Sequence, residues 1–238
     1  MHKVIIAQAR FGSSRLPGKV LYPLIDRPML GHVVDRLKAV QAADRVVVAI
    51  PDKPADDIVA DWCKVFAVDV FRGSEDDVLG RYLQAARHFS AEVVIRVCCD
   101  APMLDPAVID RAIELYLEQS NRVDYLSNVL VRTFPRGQSV EVMNVSVLET
   151  MDRRADKPNQ REHVTPYLLE HPNQFRVAEF RAEHDWSRYN WTVDTADDLA
   201  FVRQVYRRLY RPGEMFGMQE ILNLLEADPD LARKGELK

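Results

Sequence analysis

The segment KVIIAQ at Lys3–Gln8 is a short apolar run without alternation, and it passes directly into the polar loop ARFGSSRLPGKVL at residues 9–21. A run of this kind is expected of a strand covered on both faces. Similar runs return as RVVVAI at residues 45–50, closed by Pro51-Asp52, as a short strand at 68–71, and as EVVIRV at 92–97. Between them the period becomes helical. Met29, Leu30, Val33, Val34, Leu37 and Val40 share one face, and a helical stretch is expected at about 56–66. Val78, Leu79, Tyr82, Leu83, Ala86 and Phe89 mark the next helix, with Ser74-x-x-Asp77 as its amino-terminal cap, and Val108, Ile109, Ala112, Ile113, Tyr116 and Leu117 mark another. This alternation predicts an α/β fold with a mostly parallel central sheet flanked by helices. Ligands are then expected beyond the carboxyl ends of the strands, which sets the loops after Gln8, Ile50, Phe71 and Val97 on one rim.

The second half is less regular. Strands are expected at residues 123–130, 140–145 and 174–181, a helix at 160–170, and a short strand at 191–193. That strand leads into a helix with Leu199, Val202, Val205, Tyr206 and Leu209 on one face; a last helix around 218–225 precedes a charged tail, 228–238, expected to fray. Neither a repeat nor a linker is visible, so one domain with an inserted or appended layer of smaller, mixed structure is expected.

Composition narrows the class. The chain has 238 residues, 47% apolar and 29% charged, enough for a substantial core and too apolar for general disorder. With 32 basic against 36 acidic side chains, the formal charge of −4 excludes nucleic-acid binding through bulk charge, although a local basic patch stays open. No window approaches 18 consecutive apolar residues, and the apolar run after Met1-His2-Lys3 is too short for a signal peptide. Cys63, Cys98 and Cys99 cannot pair fully and lie in no CxxC spacing. A cytoplasmic globular enzyme, without membrane or nucleic-acid partner, is expected.

The loop at residues 9–21 carries the chemistry. Residues 1–27 hold five basic side chains (Lys3, Arg10, Arg15, Lys19 and Arg27) against one acid, Asp26. A glycine-bearing loop offers backbone N–H donors, and Arg and Lys add charge-assisted bonds to phosphate oxygens. The loop is neither a P-loop, because five residues separate Gly12 from Gly18 and Val20 follows Lys19, nor a GxGxxG dinucleotide loop. A solvated basic surface loop is the bland alternative.

In order and length the loop resembles the ARxxSxRLPGK signature of the cytidylyltransferases that make CMP-activated sugars, such as CMP-KDO and CMP-sialic acid synthetases, and within them the spore-coat polysaccharide type. Ala9, Arg10, Ser13 or Ser14, Arg15, Leu16, Pro17, Gly18 and Lys19 satisfy it. The resemblance implies a nucleotide-diphospho-sugar transferase-like, Rossmann-related fold. It also implies that Ala9, Arg10, Ser14, Arg15 and Lys19 hold the nucleotide, with Arg10, Arg15 and Lys19 on its phosphates. RGSEDDVLGRY at residues 72–82 is similar to the family's second nucleotide-side segment. There Ser74 is expected to cap the helix and to lie near cytosine or ribose. Asp100, in Cys98-Cys99-Asp100-Ala101-Pro102, matches the family's magnesium-binding aspartate, although Asp is also favoured at a turn. The segment WTVDTADDL at residues 191–199 resembles VDTxEDL, which makes Asp194 the second metal ligand. Two carboxylates suit Mg²⁺, which takes one or two of them beside phosphate and water. Asp197 and Asp198 are explained by the capping box Thr195-x-x-Asp198. Cys98 and Cys99 read as core thiols.

Acceptor contacts are expected, again by resemblance, from Arg136, Gln138 and Glu141 in residues 134–141 and from His163 in residues 161–166; where relatives often carry Asp, this chain has Ser139. A lone histidine on a helix is more often structural. The implied reaction is Mg²⁺-dependent transfer of CMP from CTP to a small anionic acceptor: a sugar acid, a sugar phosphate or a related metabolite destined for a surface polysaccharide. Pyrophosphate leaves, and Arg10, Arg15, Lys19 and Asp100 are the catalytic set. The acceptor nucleophile, hydroxyl or phosphate, stays open. The resemblance further implies a homodimer. It divides the single domain into a nucleotide-binding half (1–122), an acceptor and dimerisation subregion (123–190) and a metal-binding strand end with terminal helices (191–238). Two rivals remain: a nucleotide-sugar glycosyltransferase, whose usual DxD is absent before Asp100, and a nucleotide-binding module without catalysis. GxSxG, HExxH and zinc-type Cys/His spacings are absent.

Overall fold

A computed structural model describes residues 1–237. In the first half the elements are β1 (Lys3–Gln8), a small hairpin of β2 (Pro23–Leu24) and β3 (Arg27–Pro28), α1 (Met29–Lys38), β4 (Arg45–Pro51), α2 (Asp57–Val65), β5 (Asp69–Gly73), α3 (Val78–His88), β6 (Val93–Cys98) and α4 (Pro106–Glu118). The second half adds β7 (Tyr125–Ser127), β8 (Glu141–Asn144), α5 (Val145–Arg154), α6 (Pro158–His163), α7 (Pro166–Glu170), β9 (Val177–Glu179), α8 (Ala196–Leu209), α9 (Met218–Ala227) and α10 (Pro229–Lys234).

One seven-stranded sheet runs in the order β5-β4-β1-β6-β8-β7-β9. The first four strands are parallel, with Ile5 opposite Val46 on one side and Ile95 on the other. β8 runs antiparallel to both β6 and β7, and β9 is parallel to β7, so the sheet is mixed only at its second-half end. Strand alternation sorts the apolar residues into two layers. Ile5, Ala7, Val48, Ile50 and Ile95 pack with α1, α4 and α8, whereas Val4, Ile6, Val47, Ala49 and Val94 pack with α3 and α5. Each fully buried Ile here contributes about 2–3 kcal/mol relative to exposure. Both faces of the strands are covered, which is why their sequences do not alternate.

Several expectations need correction. Residues 191–193 form no strand; the neighbouring chain makes only an isolated bridge between Arg136 and Asn190. The stretch expected as one helix at 160–170 is two, because Val164 (φ 73) breaks it: the Thr165 N–H reaches back to the His163 carbonyl at 2.9 Å, closing a γ-turn. α5 was not evident in the periodicity. The tail does not fray over its first part. α10 buries Leu231 and Ala232, and Asp228 caps it by accepting from the Leu231 N–H at 3.0 Å; Lys238 lies outside the described residues. At α3 the cap is Asp77, which accepts from the Gly80 N–H at 2.9 Å, while the Ser74 hydroxyl accepts from the Asp77 N–H one turn earlier. No described helix is long and apolar enough to cross a membrane.

Candidate active site

The carboxyl ends of β1, β4, β5 and β6 meet at one rim, and a cleft of about 190 Å³ opens there. Its floor is the loop after β1. The Phe11 N–H donates to Asp56 at 2.7 Å, tying this loop to the one after β4. The Gly18 N–H returns to the Phe11 carbonyl at 2.8 Å, with Gly18 at φ 72 and the Phe11 ring against it; a Cβ there would stand 3.0 Å from Phe11 Cε2. Only glycine meets both demands without strain. This tight closure delivers Lys19 into the molecule.

Lys19 is 8% exposed. Its Nζ donates to the Val193 carbonyl at 2.6 Å and to Asp194 Oδ1 at 2.9 Å, and it stands 3.5 Å from Asp100 Oδ2. Arg15 Nη2 pairs with the other Asp194 oxygen at 3.0 Å. The two aspartates, 94 residues apart in sequence (194 − 100), are joined through backbone as well: the Val193 N–H donates to the Asp100 carbonyl at 2.8 Å. Asp198 accepts from the N–H groups of Asp194 (3.0 Å) and Thr195 (2.8 Å), which orients the Asp194 backbone as α8 begins. Burial raises the Asp100 carboxyl above its ordinary value, reinforced by Asp194 and partly offset by Lys19. Burial also pushes on Asp194, but Lys19 and Arg15 outweigh it and hold that carboxyl low. Thus one ammonium is shared by two carboxylates with opposite shifts.

This pair fits a divalent cation. It offers two hard oxygen donors that already hold positive charge between them, and Mg²⁺ completes such a set with phosphate and water. No group of three or more His, Cys, Asp or Glu side chains with metal-binding geometry occurs among the described residues. Cys98 also lines the cleft, but burial pushes its thiol up to about 12, which makes it a poor nucleophile at neutral pH.

Of the residues expected from sequence, Ala9, Arg10, Ser14, Arg15, Lys19, Asp100, Asp194 and His163 line this cleft. Four do not. Ser74 is exposed outside it, its hydroxyl bonded to Asp77. Gln138 is fully buried, with Oε1 accepting from the Asp105 N–H at 2.8 Å and Nε2 donating to the Met103 carbonyl at 2.7 Å; it braces the segment after Asp100. Glu141 is buried in an ion pair with Arg96 and accepts from the Tyr125 hydroxyl at 2.6 Å. Arg136 is exposed, and only its backbone is engaged, with Tyr189 and Trp191. Sequence reasoning missed Glu75, Arg81 and Glu162, which complete the cleft wall. Arg81 sits at a helical position in residues 72–82, where nothing in the period separates an inward arginine from a solvated one. The cleft wall thus balances Arg10, Arg15, Lys19 and Arg81 against Glu75, Asp100, Glu162 and Asp194.

A cationic loop facing two metal-competent carboxylates at the strand ends of an α/β sheet is a nucleotidyl-transfer arrangement, and comparison with known proteins agrees. Residues 4–224 match the family model described as cytidylyltransferase. The chain is 34% identical over 242 residues to the spore coat polysaccharide biosynthesis protein SpsF of Bacillus subtilis, covering 98% of each. It is 34% identical over 119 residues to a 3-deoxy-manno-octulosonate cytidylyltransferase of Trichlorobacter lovleyi, covering 49% of this chain and 46% of that one. Its fold superposes on the structure of a cytidylyltransferase from Leptospira borgpetersenii with a TM-score of 0.94 at 32% identity, covering 100% of this chain and 99% of the other. With the family model spanning nearly the whole sequence and the relatives matching over both halves, this chain belongs to the cytidylyltransferase family of nucleotidyltransferases.

Proposed function

We propose that the protein transfers CMP from CTP to a sugar acid, a sugar phosphate or a related phosphorylated metabolite, releasing pyrophosphate, in the synthesis of a surface polysaccharide. The observation that carries this reading is Lys19, held between Asp100 and Asp194 at the mouth of the loop that also presents Arg10 and Arg15. Lys19 and Arg15 have acid partners that a bound cation would take over, which frees both for phosphate oxygens. Arg10 has its side chain exposed on the same wall. Backbone N–H groups of the glycine loop add neutral donors.

Asp100 and Asp194 would hold Mg²⁺, whose contribution is to neutralise charge on the phosphate oxygens of the bound triphosphate. The work of the chain itself is positioning and electrostatic stabilisation. Arg10, Arg15 and Lys19 orient the triphosphate and stabilise charge on the departing pyrophosphate. His163, on the opposite wall at the γ-turn, and the exposed Arg136 are the side chains offered to an anionic acceptor. A phosphate nucleophile arrives ionised and needs no base, whereas a hydroxyl must lose its proton. The same reading takes the enzyme to be a cytoplasmic homodimer joined through the second half. The direct test follows pyrophosphate release from CTP and Mg²⁺ with a panel of sugar acids and sugar phosphates. Release that depends on acceptor and on CTP supports the reading. Sugar transfer from a ready-made nucleotide-sugar without pyrophosphate overturns it in favour of a glycosyltransferase, and CTP binding without turnover overturns it in favour of a binding module.

A further inference from the structure

Arg81, the fourth residue of α3, lines the cleft beside Arg10 and Glu75 but is only 2% exposed. One Nη donates to the Ser74 carbonyl at 2.6 Å, and the enclosed Nε has no acceptor among the described residues. Asp56 and Glu75 act on the guanidinium only through their charge. A buried cation with unused donors is costly unless a ligand supplies the acceptors. The backbone is also shaped for it: a Cβ at Gly73 would stand 3.0 Å from Arg81 Cγ, so the end of β5 closes on this side chain only because residue 73 is glycine. Glu75 faces the phosphate loop from the same wall, with Oε1 3.8 Å from the position a Cβ on Gly12 would take.

We propose that Arg81 and Glu75 read the nucleotide base. The inference rests on the CTP reading above and names what enforces it. Cytosine presents two acceptors, O2 and N3, next to one donor, the N4 amine. A guanidinium, which only donates, matches the first two; a carboxylate, which only accepts, matches the third. Uracil reverses the pattern at N3 and C4, so its N3–H meets a donor and its O4 meets a carboxylate. A phosphate fits this pair poorly, because Glu75 would repel it, and the triphosphate already has Arg10, Arg15 and Lys19. Sites built on buried hydrogen-bonding groups discriminate strongly, since the wrong ligand leaves those groups unpaired.

The test is calorimetric binding of CTP, UTP and inorganic tripolyphosphate, each with Mg²⁺, to the wild type, Arg81→Lys and Glu75→Gln. The wild type should prefer CTP to UTP by roughly a hundredfold or more. Arg81→Lys should weaken CTP by roughly a hundredfold and leave tripolyphosphate within about twofold. Glu75→Gln should narrow the preference to under about tenfold, since an amide can both donate and accept. Glu75 is partly exposed, so this variant keeps the test intact even if Arg81→Lys fails to fold, which the ligand-free melting temperature reveals. A CTP preference that survives in Glu75→Gln, or tripolyphosphate binding that falls in parallel with CTP in Arg81→Lys, overturns the base-reading pair alone. A wild type without preference for CTP overturns the CTP reading itself, and the pair with it.

Discussion

Replacing Lys19 by Met removes one positive charge while keeping most of the stem's volume, and it isolates the ion bridge on which the site depends. Taking one partner from a fully buried ion pair costs about 3–5 kcal/mol. Here Asp100 and Asp194 keep 31% and 32% side-chain exposure, and Arg15 stays on Asp194. Solvent screening then reduces the expected loss to about 1–2 kcal/mol. For a domain of this size that is a fall in Tm of roughly 2–8 °C. Catalysis should suffer more: a donor aimed at developing charge accounts for about 10²–10³ in rate, so kcat/KM for CTP should drop by that factor. The two losses separate in magnesium. In MgCl₂ without nucleotide, the variant should gain more Tm than the wild type, because the divalent ion restores positive charge between two carboxylates that otherwise repel. Scanning calorimetry at several MgCl₂ concentrations and steady-state pyrophosphate release read the two effects. A variant as stable and as active as the wild type, or an equal magnesium response in both, would refute the shared-cation geometry.

Other consequences are as direct. Arg96→Met leaves Glu141 charged, buried and without its ion-pair partner, and should cost about 3–5 kcal/mol in urea unfolding; the Arg96→Met/Glu141→Leu double variant should recover much of that, and strict additivity of the two single losses would show that the pair is not coupled. Gly18→Ala forces a Cβ to φ 72 and within 3.0 Å of Phe11, so it should cost about 1–2 kcal/mol and weaken CTP binding, whereas an unchanged CTP affinity would mean that the loop's closure does not position Lys19. His32 is buried, with Nε2 donating to the Leu24 carbonyl at 2.6 Å, and burial holds its pKa below the ordinary 6.5. Above pH 6.5 the ring is neutral in both folded and unfolded chains; as pH falls below 6.5 the unfolded chain takes up the proton first, so stability declines towards the lower folded value. His32→Gln should therefore flatten the change in urea midpoint between pH 7.5 and 5.5, and an unchanged slope would contradict the assignment.

The parallel half of the fold was legible because its determinants are local. β1, β4 and β6 are continuous apolar runs, and nothing but a strand covered on both faces makes a run of that length favourable. The loop at residues 9–21 announced its chemistry by composition, since three cations among glycines and serines form a positive field in any conformation. The capping box at Thr195 and Asp198 was equally local, because both partners lie within one turn. Distant partners behaved differently. Gln138 and Glu141 look like exposed polar residues, but the first is consumed by backbone near Asp105 and the second by Arg96 across a strand pair. Val164 sits in an apolar helical period and still breaks the helix, because the packing of α6 and α7 overrides local preference. Arg81 is the sharpest case: its period and composition are those of a surface residue, and its burial follows from Gly73 letting β5 approach α3. Patterns within one helical turn or strand can be read from the chain because near neighbours cause them. The cleft could not, because Lys19, Asp100 and Asp194 acquire their shared charge only when three segments far apart in sequence are brought within hydrogen-bonding distance.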